Sequence, residues 1–236
     1  QDWWDLCGRK KAKVWTKNSL AAGRRILKQL DSYHKPVFLV PGNWDWTKSG
    51  HESRKYMNQD FWKQLKSGLK NIKDIDGKIV RFQNITLIGY GKVNGPELVR
   101  LRGYGGVSKE KLRKNELKVK KLLAQKDKQF KKLRGKTIIF LSHNVPYNTK
   151  LDIIKSKGSP VNGKHYGSYI ARKLIDKHQP LVNIGGHMHE HFGKDKIKKT
   201  TIINSGFGKD VNTLLEIVDG KIVKLEFYKS GKKLGV

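Results

Sequence analysis

The chain predicts an α/β fold, a layered sandwich of strands and helices, on three observations. Apolar runs of strand length alternate with helical patterns from Asn18 to Ile184. The end of the chain is rich in strands, with Asp219-Gly220 as a two-residue hairpin signal. Three of the apolar runs lead straight into residues able to bind a metal. At 236 residues the chain can build one substantial core, so a single domain over 1–236 is expected.

Taken in order, Asn18 can cap a helix whose Leu20, Ala21, Ile26, Leu27 and Leu30 share a face. Pro36 closes that region, and a strand at 37–40 follows. A second helix is expected at 59–69, with Phe61, Trp62, Leu65 and Leu69 inward. Strands are expected at 78–83 and 85–90, then a glycine-rich loop from Gly91 to Val107. Ser108 can open a long helix to about Leu133, its outer face dense in lysine. A strand at 137–142, a loop from Tyr147 to Tyr166, and a helix at 168–178 stopped by Pro180 come next. Further strands are expected at 181–184, 200–204, 211–218 and 221–228.

Composition bounds the partners. The formal charge is +31, from 51 Lys and Arg against 20 Asp and Glu. Such a field attracts polyanions, so nucleic acid is one reading; a lysine-rich, solvated surface is the other. No nucleic-acid-binding motif accompanies the charge. No apolar run approaches the ~18 residues that span a bilayer, so no membrane partner is expected. The single Cys7 excludes an internal disulfide and, with no visible signal peptide, points to the cytoplasm.

The chemistry gathers at strand ends. Leu181-Val182-Asn183-Ile184 leads into Gly185-Gly186-His187-Met188-His189-Glu190-His191. In extended backbone His187 and His189 point the same way, an arrangement that suits a divalent metal. A surface pair of histidines is the alternative for these residues taken alone. Val37-Phe38-Leu39-Val40 leads into Pro41-Gly42-Asn43-Trp44-Asp45, and Thr137-Ile138-Ile139-Phe140-Leu141 into Ser142-His143-Asn144. In open α/β sheets, sites form beyond the carboxyl ends of strands.

These motifs resemble the calcineurin-like metallophosphoesterases, especially their small archaeal and bacterial phosphodiesterase-like members. The family's ordered signature is Asp-x-His, Gly-Asp-x-x-Asp, Gly-Asn-His-Asp/Glu, a lone His after a strand, then Gly-His-x-His. Gly42-Asn43-Trp44-Asp45, His143 and Gly186-His187-Met188-His189 match its last three elements. Asn204-Ser205-Gly206 is similar to the Asn-Pro-Gly that ends the family domain. The resemblance implies two facing mixed β-sheets flanked by helices, with metals at one edge. It also implies two divalent ions about 3.5–4 Å apart, which hold a hydroxide that attacks phosphorus in line. One would take Asn43, His143 and His187; the other would take His189; and Asp2 would bridge them. Mixed N and O ligands suit Mn²⁺, Fe, Zn²⁺ or Ni²⁺ better than Ca²⁺ or Mg²⁺, and Mn²⁺ is the ion expected. His143, His187 and Asp45 are the residues the resemblance ties to catalysis, Asp45 by orienting the site.

Two departures stand out. Gln1-Asp2-Trp3-Trp4-Asp5 keeps the Asp-x-x-Asp of the second motif without its glycine, and no Asp-x-His occurs in the sequence. The chain therefore reads as a family member lacking its N-terminal segment, and as given it is expected to be poorly stable and nearly inactive. Trp44 stands where the family commonly has a His that helps protonate the leaving oxygen. Indole N–H donates a hydrogen bond but no acid proton, which favours substrates with good leaving groups or a proton from another donor such as His165 or His191; the alternative for either is an ordinary exposed His. Trp3, Trp4, Trp44 and Trp46 either support the ligands by packing or stack a nucleobase.

The sequence thus predicts a metal-dependent phosphoesterase, more narrowly a phosphodiesterase, acting on a phosphorylated small molecule or nucleotide. The rival is a catalytically degenerate scaffold of the same fold, or a nucleic-acid-binding protein drawn by the charge. Trp44 and the absent Asp-x-His favour the scaffold. The set Asn43, His143, His187 and His189 favours the enzyme, because a scaffold has no physical need for such donors.

Overall fold

The computed structural model describes residues 9–43, 45, 60–91, 108–159, 161–189, 191–206 and 211–235. The chain forms two compact units, 1–74 and 75–236.

In the first unit, helix α1 (Arg9–Ser32) begins well before Asn18, which is an interior residue and not the cap expected of it. The physical reason lies upstream: Arg9–Lys17 is rich in Lys and Arg, strong helix formers, and one internal Asn costs only tenths of a kcal/mol, roughly. Strand β1 (Val37–Leu39) pairs in parallel with β2 (Ile72–Asp74), a strand too short and polar to be legible. Helix α2 (Phe61–Lys66) is shorter than the 59–69 expected. Asp60 caps its start by accepting the Lys63 N–H at 2.8 Å. The Arg24 guanidinium donates to the carbonyls of Gln64, Leu65 and Ser67 at 2.8, 2.9 and 2.6 Å. That fork satisfies the acceptors an α-helix leaves open at its end, and ties α2 to α1. Phe61 and Trp62 are buried, and the Trp62 indole donates to Asp74 at 2.8 Å.

The second unit is built on a six-stranded mixed sheet in the order β3-β4-β5-β6-β8-β7. Its strands are β3 (Ile79–Phe82), β4 (Ile85–Tyr90), β5 (Thr137–Asn144), β6 (Val182–Gly186), β7 (Gly193–Ile197) and β8 (Thr200–Asn204). β4, β5, β6 and β8 run parallel; β3 and β7 are antiparallel edges. Edge strand β7, Gly-Lys-Asp-Lys-Ile, carries too little apolar alternation to be read from sequence. Helices α3 (Lys109–Lys131) and α4 (Tyr169–His178) cross over between parallel strands. Ser108 caps the first as the sequence indicated, accepting from Lys111 N–H, and Ser168 caps the second, accepting from Ala171 N–H. α4 ends where Gln179 turns left-handed, one residue before Pro180.

One core cluster joins Ile88 and Tyr90 of β4, Ile138 and Phe140 of β5, and Ile202 of β8 to Phe130 of α3 and Leu174 of α4. Phe130 meets Phe140 edge-on at 5.2 Å and stacks on His178 at 5.0 Å, favourable aromatic geometries. The alternate residues Leu87, Ile139, Val182 and Ile203 are also buried, so the central strands are apolar on both faces. Strands β9 (Val211–Val218), β10 (Lys221–Lys229) and β11 (Lys232–Leu234) form a separate antiparallel sheet. Asp219 and Gly220 both have positive φ, 49° and 72°, as the expected two-residue hairpin requires. Among the described residues no helix is long and apolar enough to cross a membrane.

Candidate metal centre

The carboxyl ends of β5 and β6 hold the candidate site. β5 runs on through Ser142, His143 and Asn144, so His143 lies in the strand and not in the loop expected after it. Its register explains the position. Leu141 pairs with Ile184 and Asn144 with Gly186, so Ser142 and His143 oppose Gly185 alone. This bulge adds one residue and re-aims a side chain, a device common beside active sites. Asn183 braces it, donating to the Phe140 carbonyl at 3.0 Å and the Ser142 hydroxyl at 2.9 Å.

β6 ends at Gly186, and the backbone then turns. His187 has φ 70°, and the Met188 N–H donates back to the Gly186 carbonyl at 2.8 Å. That bond spans one residue, closing a γ-turn of the strained, positive-φ kind. The extended backbone that would align His187 with His189 is therefore absent. Met188 instead enters the core at 3% exposure, with half-buried His187 before it and exposed His189 after it. Fully buried Asn204 secures the turn by donating to the Met188 carbonyl at 3.0 Å. Ser205 adds hydrogen bonds to the Gly185 carbonyl from both its N–H and its hydroxyl.

The two elements bring His143 and His187 together. His143 Nε2 lies 3.1 Å from His187 Nδ1, and the rings meet edge-on at 4.9 Å. In a metal-free protein one imidazole donates to the other. Two nitrogens each about 2.0–2.1 Å from one divalent ion, at ordinary ligand angles, lie about 2.9–3.4 Å apart. The observed spacing thus fits a pair sharing an ion. Burial, followed by the charges of His187 and His189, depresses the His143 imidazole to about 3. At neutral pH it is an uncharged donor with a lone pair, the form a metal needs.

Asn43 and Asp45 follow β1 in the first unit. Asp45 Oδ2 accepts the Gly42 N–H at 2.7 Å, and the Asp45 N–H donates to the Gly42 carbonyl at 3.2 Å. These bonds close the turn that carries Asn43, so Asp45 has a positioning role. Burial raises the Asp45 carboxyl, against the lowering effects of the Gly42 N–H and Lys66. Asp2, Trp3, Trp4, Trp44, Trp46 and the loop over 92–107 lie outside the described residues. Among the described residues no three His, Cys, Asp or Glu side chains enclose a metal-sized space by themselves.

Sequence reading missed Asp152. This fully buried carboxylate accepts the N–H groups of Asn148, Thr149 and Gly167 at 3.0, 2.8 and 2.9 Å, and His165 Nδ1 at 2.7 Å. Thr149, three residues ahead of an acid, is a local turn signal that could have marked it.

Comparison with known proteins agrees with this architecture. The sequence profile of the calcineurin-like phosphoesterases matches residues 5–191, beginning after Asp2 and ending at His191. An uncharacterized protein of Methanocaldococcus jannaschii is 28% identical over 181 residues. That match takes in 75% of this chain and 66% of the relative, so the chain spans slightly less than two thirds of the relative's length. Among solved structures, one superposes with a TM-score of 0.59 at 15% identity, covering 94% of this chain and 77% of its own. A second, TT1561 of Thermus thermophilus, gives 0.51 at 18% identity, covering 89% and 80%. These structural likenesses concern the fold. The profile match extends over well more than half of the sequence and ends within the histidine loop, and on it the chain belongs to the calcineurin-like phosphoesterase family.

Proposed function

We propose that the chain is a metal-dependent phosphodiesterase. The observation that carries the reading is the spacing of His143 and His187, two imidazoles held by a bulge and a strained turn. Strained backbone persists only where the surroundings over-determine it, and it clusters at functional sites. His143 and His187, with His189 beside them in the same loop, would hold the metal from the second unit. Two divalent ions at this site would supply a nucleophilic hydroxide and shield phosphate charge.

This chain's own residues do the rest. His143 and His187 present nitrogens in fixed orientation; Asp45 holds the Asn43 turn through Gly42; Asn204 and Ser205 hold the histidine loop against β6. A phosphodiester, with its single charge, needs no further anion pocket beyond the basic field of the chain. Mn²⁺ is the proposed metal. The test is turnover of bis(para-nitrophenyl) phosphate with Mn²⁺ added, after chelation, and after Mn²⁺ is restored. Activity that follows the metal supports the reading; turnover unaffected by chelation contradicts it.

A further inference from the structure

With Trp44 in place of an acid, the leaving oxygen needs a proton from another residue, and the second unit distinguishes the two histidine candidates. His191 Nε2 donates to the Ile153 carbonyl at 2.6 Å, which commits it to holding the loop. His165 is placed differently. Its Nδ1–H donates to buried Asp152 at 2.7 Å, its ring is about 30% exposed, and Tyr147 lies edge-on at 5.8 Å. With Nδ1 engaged, Nε2 is the nitrogen left to act outward.

The loop carrying His165 is tied to both histidine elements. Asn144, next to His143, donates to the carbonyl of Tyr166, next to His165, at 2.9 Å. Ile153 pairs with His165 in an antiparallel bridge, and its carbonyl takes the His191 bond just beyond His189. Gly167 lets the loop close tightly, since a Cβ there would stand 2.6 Å from the Pro146 carbonyl oxygen. A carboxylate that orients an imidazole through Nδ1 and leaves Nε2 for proton transfer is a recurring catalytic arrangement.

We propose that His165, oriented by Asp152, gives its Nε2 proton to the leaving-group oxygen. The proposal rests on the phosphodiesterase reading. Water adds through oxygen to phosphorus and gives up one proton to solvent. The ester P–O bond breaks, its electron pair stays on the departing oxygen, and that oxygen takes the proton from His165 Nε2. Solvent then restores the proton to His165. Asp152 is a positioning residue.

The experiment compares wild type and His165→Gln, both loaded with Mn²⁺, on bis(para-nitrophenyl) phosphate and on a dinucleoside monophosphate. The first substrate's leaving group needs no proton; the second leaves as an alkoxide. The substitution should lower kcat/KM on the dinucleotide by about 100-fold or more, and on the aryl diester by less than about tenfold. Metal content should be equal in the two proteins. Equal losses on both substrates, or none, overturn the proposal while leaving the reading intact. A wild type that binds Mn²⁺ and cleaves neither diester overturns both. Nitrogen NMR of the metal-free wild type gives a readout free of activity: neutral His165 should carry its proton on Nδ1. A proton on Nε2 would overturn the Asp152 orientation.

Discussion

At the scale of single residues, His187 carries two demands at once, a donor nitrogen and a left-handed backbone. L-residues in that region cost roughly 1–2 kcal/mol, a cost glycine escapes. His187→Ala and His187→Gly both delete the imidazole and its bond to His143. In metal-free protein His187→Gly should therefore be more stable than His187→Ala by roughly 1 kcal/mol. Urea unfolding of the two variants checks this; equal stability would mean that φ at 187 carries no strain. His143 makes a pH-dependent prediction. Its folded value, about 3, lies below the ordinary 6.5 because burial and two neighbouring imidazoles oppose the charge. As pH falls from 6.5 toward 3 the unfolded chain takes up a proton that the folded chain refuses. Folding stability of the metal-free chain should fall across that window and be fully retained above it. His143→Gln should flatten the slope, as read from unfolding midpoints across pH.

At the scale of elements, the site depends on how β5, β6 and β8 end. The β5 bulge displaces His143, and Asn204 at the end of β8 holds the carbonyl that follows His187. Asn204→Ala would leave the Met188 carbonyl with the longer His191 N–H bond at 3.2 Å and without the Asn204 bond, a loss of about 1 kcal/mol. The same substitution should weaken metal binding, because the turn loses its brace. Thermal unfolding and metal titration of one variant test both; unchanged metal affinity would make Asn204 a purely structural residue. Strand existence was legible in the sequence wherever apolar runs were continuous, as at Thr137–Leu141 and Thr200–Asn204. The start of α3 was legible because Ser108 caps it. The bulge was not, because register is decided between strands and leaves no local mark. The γ-turn was missed for a related reason: two glycines and alternating histidines suit extended backbone equally well, and only Met188 entering the core decides between them.

At the scale of the whole molecule, family membership follows from motifs far apart in sequence, and Gly-His-x-His was the most informative of them. Three of the expected residues stand near strand ends as read, Asn43 after β1, His143 late in β5 and His187 after β6. The pairing of His143 with His187 needed the parallel order of β5 and β6. The Asp152–His165 pair needed a folded loop, since its members stand thirteen residues apart. The central claim is that His143 and His187 share a divalent ion. It is tested most directly by Mn²⁺ titration of wild type and His187→Gly, a variant that removes the nitrogen without adding backbone strain. The account predicts that wild type binds Mn²⁺ and that the variant binds it at least about 100-fold more weakly, beyond the loss typical of a supporting residue. Equal affinity in the two proteins would contradict it.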